Sequence, residues 1–149
     1  MTAPLPDIIA RISINAPMDH VWETLTSEMT VPQWLGCLGY RREVGVTFYM
    51  QQDSAKRETG DTTGATHCEV VLLERPGRFH FTWFVPGTPE TMVEITLSPA
   101  GPGDTEVTLR HRGWDQFPAD MVKPFHDQLK SGWTSGVLPA LRAVAERGS

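Results

Sequence analysis

PADMVKPFHDQLKSGWTSGVLPALRAVAER, residues 118–147, is the one long stretch in which apolar side chains return at three- and four-residue spacing: Phe125, Leu129, Trp133, Val137, Leu141 and Val144. That spacing predicts a helix from about Pro118 to Arg147, the one element long enough to cross a sheet. Pro139 falls inside it, where it removes the backbone bond to Ser135 and predicts a kink. Gly132 and Gly136 loosen the same stretch.

Upstream of this helix the period is two. Thr105–Arg112 alternates Val107, Leu109 and His111 against Thr108, Arg110 and Arg112, and Met92–Ser98 alternates Val93, Ile95 and Leu97 against Glu94 and Thr96, with a turn at Pro99–Gly103 between them. Phe79–Val85 places Phe79, Phe81, Trp83 and Val85 on one face. Arg75-Pro-Gly-Arg78 joins it in a hairpin to the Thr- and Val-rich stretch Thr62–Glu74. Val44, Val46, Phe48 and Met50 mark another strand, followed by a polar loop from Gln52 to Asp61. At the front, Ile8–Asn15 alternates as a strand. Asn15 can cap a helix over Met18–Thr26, and Thr30–Leu35, closed by Gly36 and Gly39, forms a second helical turn. The order is strand, two short helices, a run of strands and one long helix. It predicts an α+β fold, with an antiparallel six- to seven-stranded sheet wrapped around the C-terminal helix, as a single domain over residues 1–149.

Composition narrows the function. The chain has 149 residues, 40% hydrophobic and 21% charged, with a net charge of −5. Its basic clusters do not exceed Arg41-Arg42 and Lys56-Arg57, read as solvated loop charges, so nucleic acid is an unsuitable partner. No apolar run is long enough to span a membrane, and Met1–Asp7 lacks the layout of a secretory leader, so a soluble cytoplasmic protein is expected. Cys37 and Cys68 lack metal-type spacing and read as free thiols, with Cys37 an accessible alkylation target. His67 and Glu69 share a strand face without a third ligand, so no metal is expected. No phosphate loop or serine nucleophile motif calls for a cofactor or a covalent mechanism.

The candidate site lies where the inward faces meet. Phe48 and Met50, Phe81 and Trp83, and Phe125, Trp133 and Val137 can line a pocket for a hydrophobic or aromatic small molecule between sheet and helix; the same residues can equally pack into a closed core. The mouth is expected between the Gln52–Asp61 and Gly113–Ala119 loops and the two short helices. His111 is the one inward imidazole. It is a core histidine bonded to backbone or Asp115, a polar contact for the ligand, or a weak candidate for general acid or base. His20, His80 and His126 read as exposed. Phe84 and Trp114 read as partly exposed, and if clustered they form a homodimer patch.

Taken in order, Ala16-Pro17, Val21-Trp22, Trp34, Gly45, Glu69-Val70 with Pro76, Phe79, Thr82-Trp83, Thr105, Val107, Leu109, His111, Gly113, Gly132-Trp133, Leu138 and Leu141 form a pattern. The chain thereby resembles the heat-shock-protein-90 ATPase activator homologues, within the START-like, birch-pollen-allergen-like helix-grip superfamily. The resemblance runs almost end to end. It implies a sheet around the last helix, an internal apolar pocket and no fixed catalytic set. Two further roles follow from it as alternatives: a polyketide cyclase or aromatase using the same cavity with His111, and an activator of an Hsp90-type chaperone. Eukaryotic co-chaperone members carry an additional N-terminal domain that takes part in chaperone binding, whereas here the first strand begins by about Ile8, which counts against that role. A lone inward histidine is thin machinery for an enzyme, so small-molecule binding is the leading expectation.

Overall fold

The structure is a computed structural model describing residues 5–51, 53–117 and 119–147. After β1 (Ile8–Ile14) come α1 (Met18–Thr26) and α2 (Val31–Leu35), then β2 (Cys37–Leu38), β3 (Thr47–Met50) and α3 (Ser54–Thr59). Four longer strands follow: β4 (Thr66–Glu74), β5 (Arg78–Trp83), β6 (Thr91–Gly101) and β7 (Asp104–Arg112). A 3-10 turn at Trp114–Gln116 leads to the C-terminal helical stretch, α4 (Ala119–Gly132), a π-helical turn (Trp133–Val137) and α5 (Leu138–Arg147). The strands form one antiparallel sheet in the order β1-β7-β6-β5-β4-β3-β2, which curls around the last helix as a helix grip.

The alternation anticipated for β1 and β7 is what fastens the first strand to the last. Ile8 pairs with His111 and Ile14 with Thr105, so Ile8, Ala10 and Ile14 share the inner face with Val107, Leu109 and His111. α5 buries Leu138, Leu141 and Ala145 and packs on β1, α1 and α2, which closes this half of the grip with apolar side chains. The carboxylate of Glu146 accepts the Asn15 backbone N–H at 2.8 Å, so Asn15 does not cap α1; Pro17 holds that position without a side-chain bond.

Several local expectations change. The strand anticipated from Val44 shortens to Thr47–Met50, and Val44 is exposed. Within the polar stretch expected to be a loop, Asp53 accepts the Lys56 N–H and caps α3; Gln52 lies outside the described residues. β6 runs through Pro99 to Gly101, so the reversal before β7 is tighter than a Pro99–Gly103 turn. Arg42 and Arg57 are more than solvated charges. The Arg42 Nε–H donates to Thr26 O at 3.1 Å, and Arg57 Nη1 donates to Gln51 O at 2.6 Å, each holding a loop carbonyl.

The C-terminal helix also departs from a simple kink at Pro139. Its start, expected at about Pro118, lies outside the described residues, and α4 contains Pro124 as an internal proline. At the π turn the Leu138 N–H reaches back five residues to Trp133 O, inserting an extra residue immediately before Pro139. The wider turn takes up the ring and missing N–H of the proline without ending the helix.

The hairpin between β4 and β5 depends on Gly77. A Cβ there would stand 2.8 Å from Leu97 Cβ and 3.0 Å from Leu97 O, and the Gly77 carbonyl accepts the Leu97 N–H at 2.8 Å. Gly77→Ala must push this hairpin off β6. The expected cost is about 1–3 kcal/mol, read as a lower urea midpoint at unchanged slope.

Candidate functional site

β5 and β7 bring Trp83 and His111 to the inner face, and the π turn presents Trp133 to them. His111 is fully buried. Trp133 Nε1–H donates to His111 Nδ1 at 3.2 Å, and His111 Nε2 lies 2.6 Å from Thr91 Oγ1. An indole N–H can only donate, so Nδ1 is the accepting nitrogen and the ring proton sits on Nε2, donated to Thr91. The Thr91 hydroxyl in turn donates to Trp83 O at 2.6 Å. The ring partners are therefore Thr91 and Trp133, not the backbone or Asp115 anticipated for this imidazole.

The chain Trp133–His111–Thr91–Trp83 fits only a neutral ring. A second ring proton would face the Trp133 N–H and break that bond. Desolvation by burial pushes the His111 pKa down to about 3, with a smaller contribution from nearby His126. Trp83 meets the imidazole edge-on at 5.0 Å, Trp133 does so at 6.0 Å, and Trp114 lies tilted against it at 4.8 Å. Trp114 also donates its indole N–H to His111 O at 3.1 Å. Trp114 is therefore buried, and no surface patch of Phe84 with Trp114 forms. His126 is likewise buried at 5% exposure. Its Nε2–H donates to Pro6 O at 2.8 Å and its ring packs on Trp114, which corrects the expectation of an exposed residue.

Beside this aromatic cluster lies a cleft of about 220 Å³, lined by Met50, Thr66, Trp83, Val85, Phe125, Leu129, Gly132, Trp133 and Val137. It runs between the end of β3, the start of β4 and the end of β5 on one side and α4 with the π turn on the other. Among the described residues, the short helices and the two long loops contribute none to this lining, which is drawn instead from the strand ends, α4 and the π turn. Of the side chains named from sequence, Met50, Trp83, Phe125, Trp133 and Val137 are brought together here. Phe48, Phe81 and His111 are fully buried and stand outside the lining.

Thr66, Val85, Leu129 and Gly132 join the wall without having been named as ligand contacts. Val85 and Leu129 carried a usable signal, since each continues an apolar face already recognised. Thr66 and Gly132 carried none.

The remaining reactive groups lie elsewhere. Cys37 is buried at 3% exposure, not accessible, and desolvation raises its thiol to about 12; Cys68 is buried and raised as well. His67 is packed between the rings of Tyr49 and Phe84, and among the described residues no three metal-ligating side chains gather. No helix among them is long and apolar enough to cross a membrane.

Residues 15–146 match the family described as "Activator of Hsp90 ATPase homolog 1-like protein". No curated protein matches the chain. The solution structure of a Bacillus halodurans protein is 26% identical, with a TM-score of 0.72, covering 97% of this chain and 99% of that one. DynU16, a protein in the dynemicin biosynthetic locus, is 26% identical with a TM-score of 0.72; the match covers 98% of this chain and 49% of DynU16. An Hsp90 activator from Plasmodium falciparum is 16% identical with a TM-score of 0.69, covering 93% and 94%, a likeness of fold.

Proposed function

The chain belongs to the activator of Hsp90 ATPase homologue 1-like family, and we propose that within this fold it binds a hydrophobic small molecule in the cleft between β3–β5 and α4. One observation carries the reading. Phe125, Leu129 and Val137 stay apolar along one stripe of the helical stretch, yet they are only half-buried and face an apolar-lined space. A helix designed only to close a core would bury that stripe, as α5 does with Leu138, Leu141 and Ala145.

Among the described residues the lining contains no titratable side chain, and the Trp133 N–H is already given to His111. These side chains supply shape and apolar contact, which favours binding over the cyclase alternative. His111 cannot act as a base without breaking the bonds that hold it. Chaperone activation, named in the family description, would use the outer surface and leave the cleft unexplained.

Gly132→Leu tests the reading. Gly132 lies in helical conformation at the cleft wall, and a Cβ there meets nothing within 4 Å, so a leucine enters open space. The variant is expected to be about 0.5–1 kcal/mol more stable through helix propensity while losing ligand response. In a thermal-shift screen of aromatic and acyl compounds, the wild type should gain several degrees with one chemical class and Gly132→Leu none. Equal shifts in both proteins would place binding elsewhere.

A further inference from the structure

Trp83 lines the cleft and is 5% exposed, and its indole N–H is buried without a hydrogen-bond acceptor among the described residues. An unpaired buried donor costs free energy that a partner would recover. The polar neighbours of the ring are already committed. Both His111 nitrogens are taken, by Thr91 and Trp133, and the Thr91 hydroxyl proton goes to Trp83's own carbonyl. Phe125, tilted against the indole at 5.8 Å, offers no acceptor atom. The ring itself lines the cleft, where Thr66 supplies a hydroxyl and the other described walls are apolar or aromatic.

We propose that the molecule held in the cleft is a flat, unsaturated ring compound bearing a carbonyl or comparable acceptor oxygen, and that Trp83 Nε1–H is the donor that receives this oxygen. The inference rests on the reading of the cleft as a ligand site and specifies its ligand class. Ring planarity follows from the walls: Trp83, Phe125 and Trp133 offer aromatic faces and edges, against which a planar molecule buries more surface than a bulky aliphatic one. A neutral ligand suits the described walls, none of whose side chains is charged. A plain acyl chain or hydrocarbon would fill the space and leave the indole unpaired, so the site discriminates by one hydrogen bond.

The test uses 9-fluorenone and fluorene, which share a flat tricyclic frame and differ in the carbonyl. Dissociation constants are measured by tryptophan-fluorescence titration for the wild type and Trp83→Phe, which keeps an aromatic face and removes the N–H. In the wild type, fluorenone is expected to bind roughly tenfold tighter than fluorene. In Trp83→Phe the ratio should fall to about one, with fluorene affinity little changed. A readout independent of the variant's folding comes from 15N-labelled tryptophan in the wild type. The indole resonance that Trp83→Phe assigns should move downfield with fluorenone and not with fluorene.

Equal affinities in the wild type, or a tenfold preference that survives in Trp83→Phe, overturn the assignment while leaving the cleft a ligand site. If neither compound binds and the thermal-shift screen is also silent, the ligand-site reading fails and the inference fails with it.

Discussion

His111→Ala is expected to lose about 3–5 kcal/mol of folding stability, the range of a large truncation in a packed core with a polar partner left unpaired. The variant vacates the centre of the Trp83, Trp114 and Trp133 cluster and strips the Trp133 N–H of its acceptor. A catalytic histidine facing an open site would behave otherwise, losing activity on an intact fold. Urea unfolding at neutral pH separates the two: a midpoint lowered by the stated amount fits a strut, whereas an unchanged midpoint would mean that the imidazole is dispensable to the fold.

The second large effect is a dependence of stability on acid that His111→Gln should remove. In the native state the His111 pKa is pushed down to about 3, against an ordinary value of 6.5. Between those values the unfolded chain binds a proton that the native chain refuses, so stability rises with pH across this window and the contribution levels off above about 6.5. On falling pH the loss is about 1.4 kcal/mol per unit, or roughly 2–3 kcal/mol by pH 4.5.

Burial also lowers the His80 pKa and adds a slope of the same sign. The informative quantity is therefore the difference between wild type and His111→Gln. Glutamine keeps a donor and an acceptor at the position, so the variant should fold at pH 7 and show a shallower pH profile from 6.5 to 4.5. Parallel profiles would show that the imidazole is not held neutral.

Most of the fold could be read from sequence because its signals are periodic. The alternation through Val107, Leu109 and His111 placed the imidazole on the inner face, and the stripe from Phe125 to Val144 identified the C-terminal helix. Elements without an apolar period escaped. No residue of α3 is buried, and β2 is two residues long, so neither leaves a pattern in the sequence. The π turn is hidden for a different reason: one inserted residue at Trp133–Val137 changes backbone bonding while preserving apolar residues at three- and four-residue spacing.

Burial of Trp114 and His126 was missed because polar residues follow each of them, Asp115-Gln116 and Asp127-Gln128, and the partners that cover them, including Phe117 and Pro6, come from turns and the N-terminal segment. In the cleft, the sequence could name the apolar walls but not which of them would be left half-open. That follows from how α4 and the π turn stand over the strand ends, a property of helix placement rather than of any residue type.

The most direct test of a ligand-holding cleft is native mass spectrometry of the wild type and Gly132→Leu, each expressed in and purified from the protein's own host. The wild type is expected to carry a noncovalent adduct of small-molecule mass that is released on denaturation, and Gly132→Leu to run at the mass of the bare chain. Bare chains in both preparations, or the same adduct on both, would contradict the account.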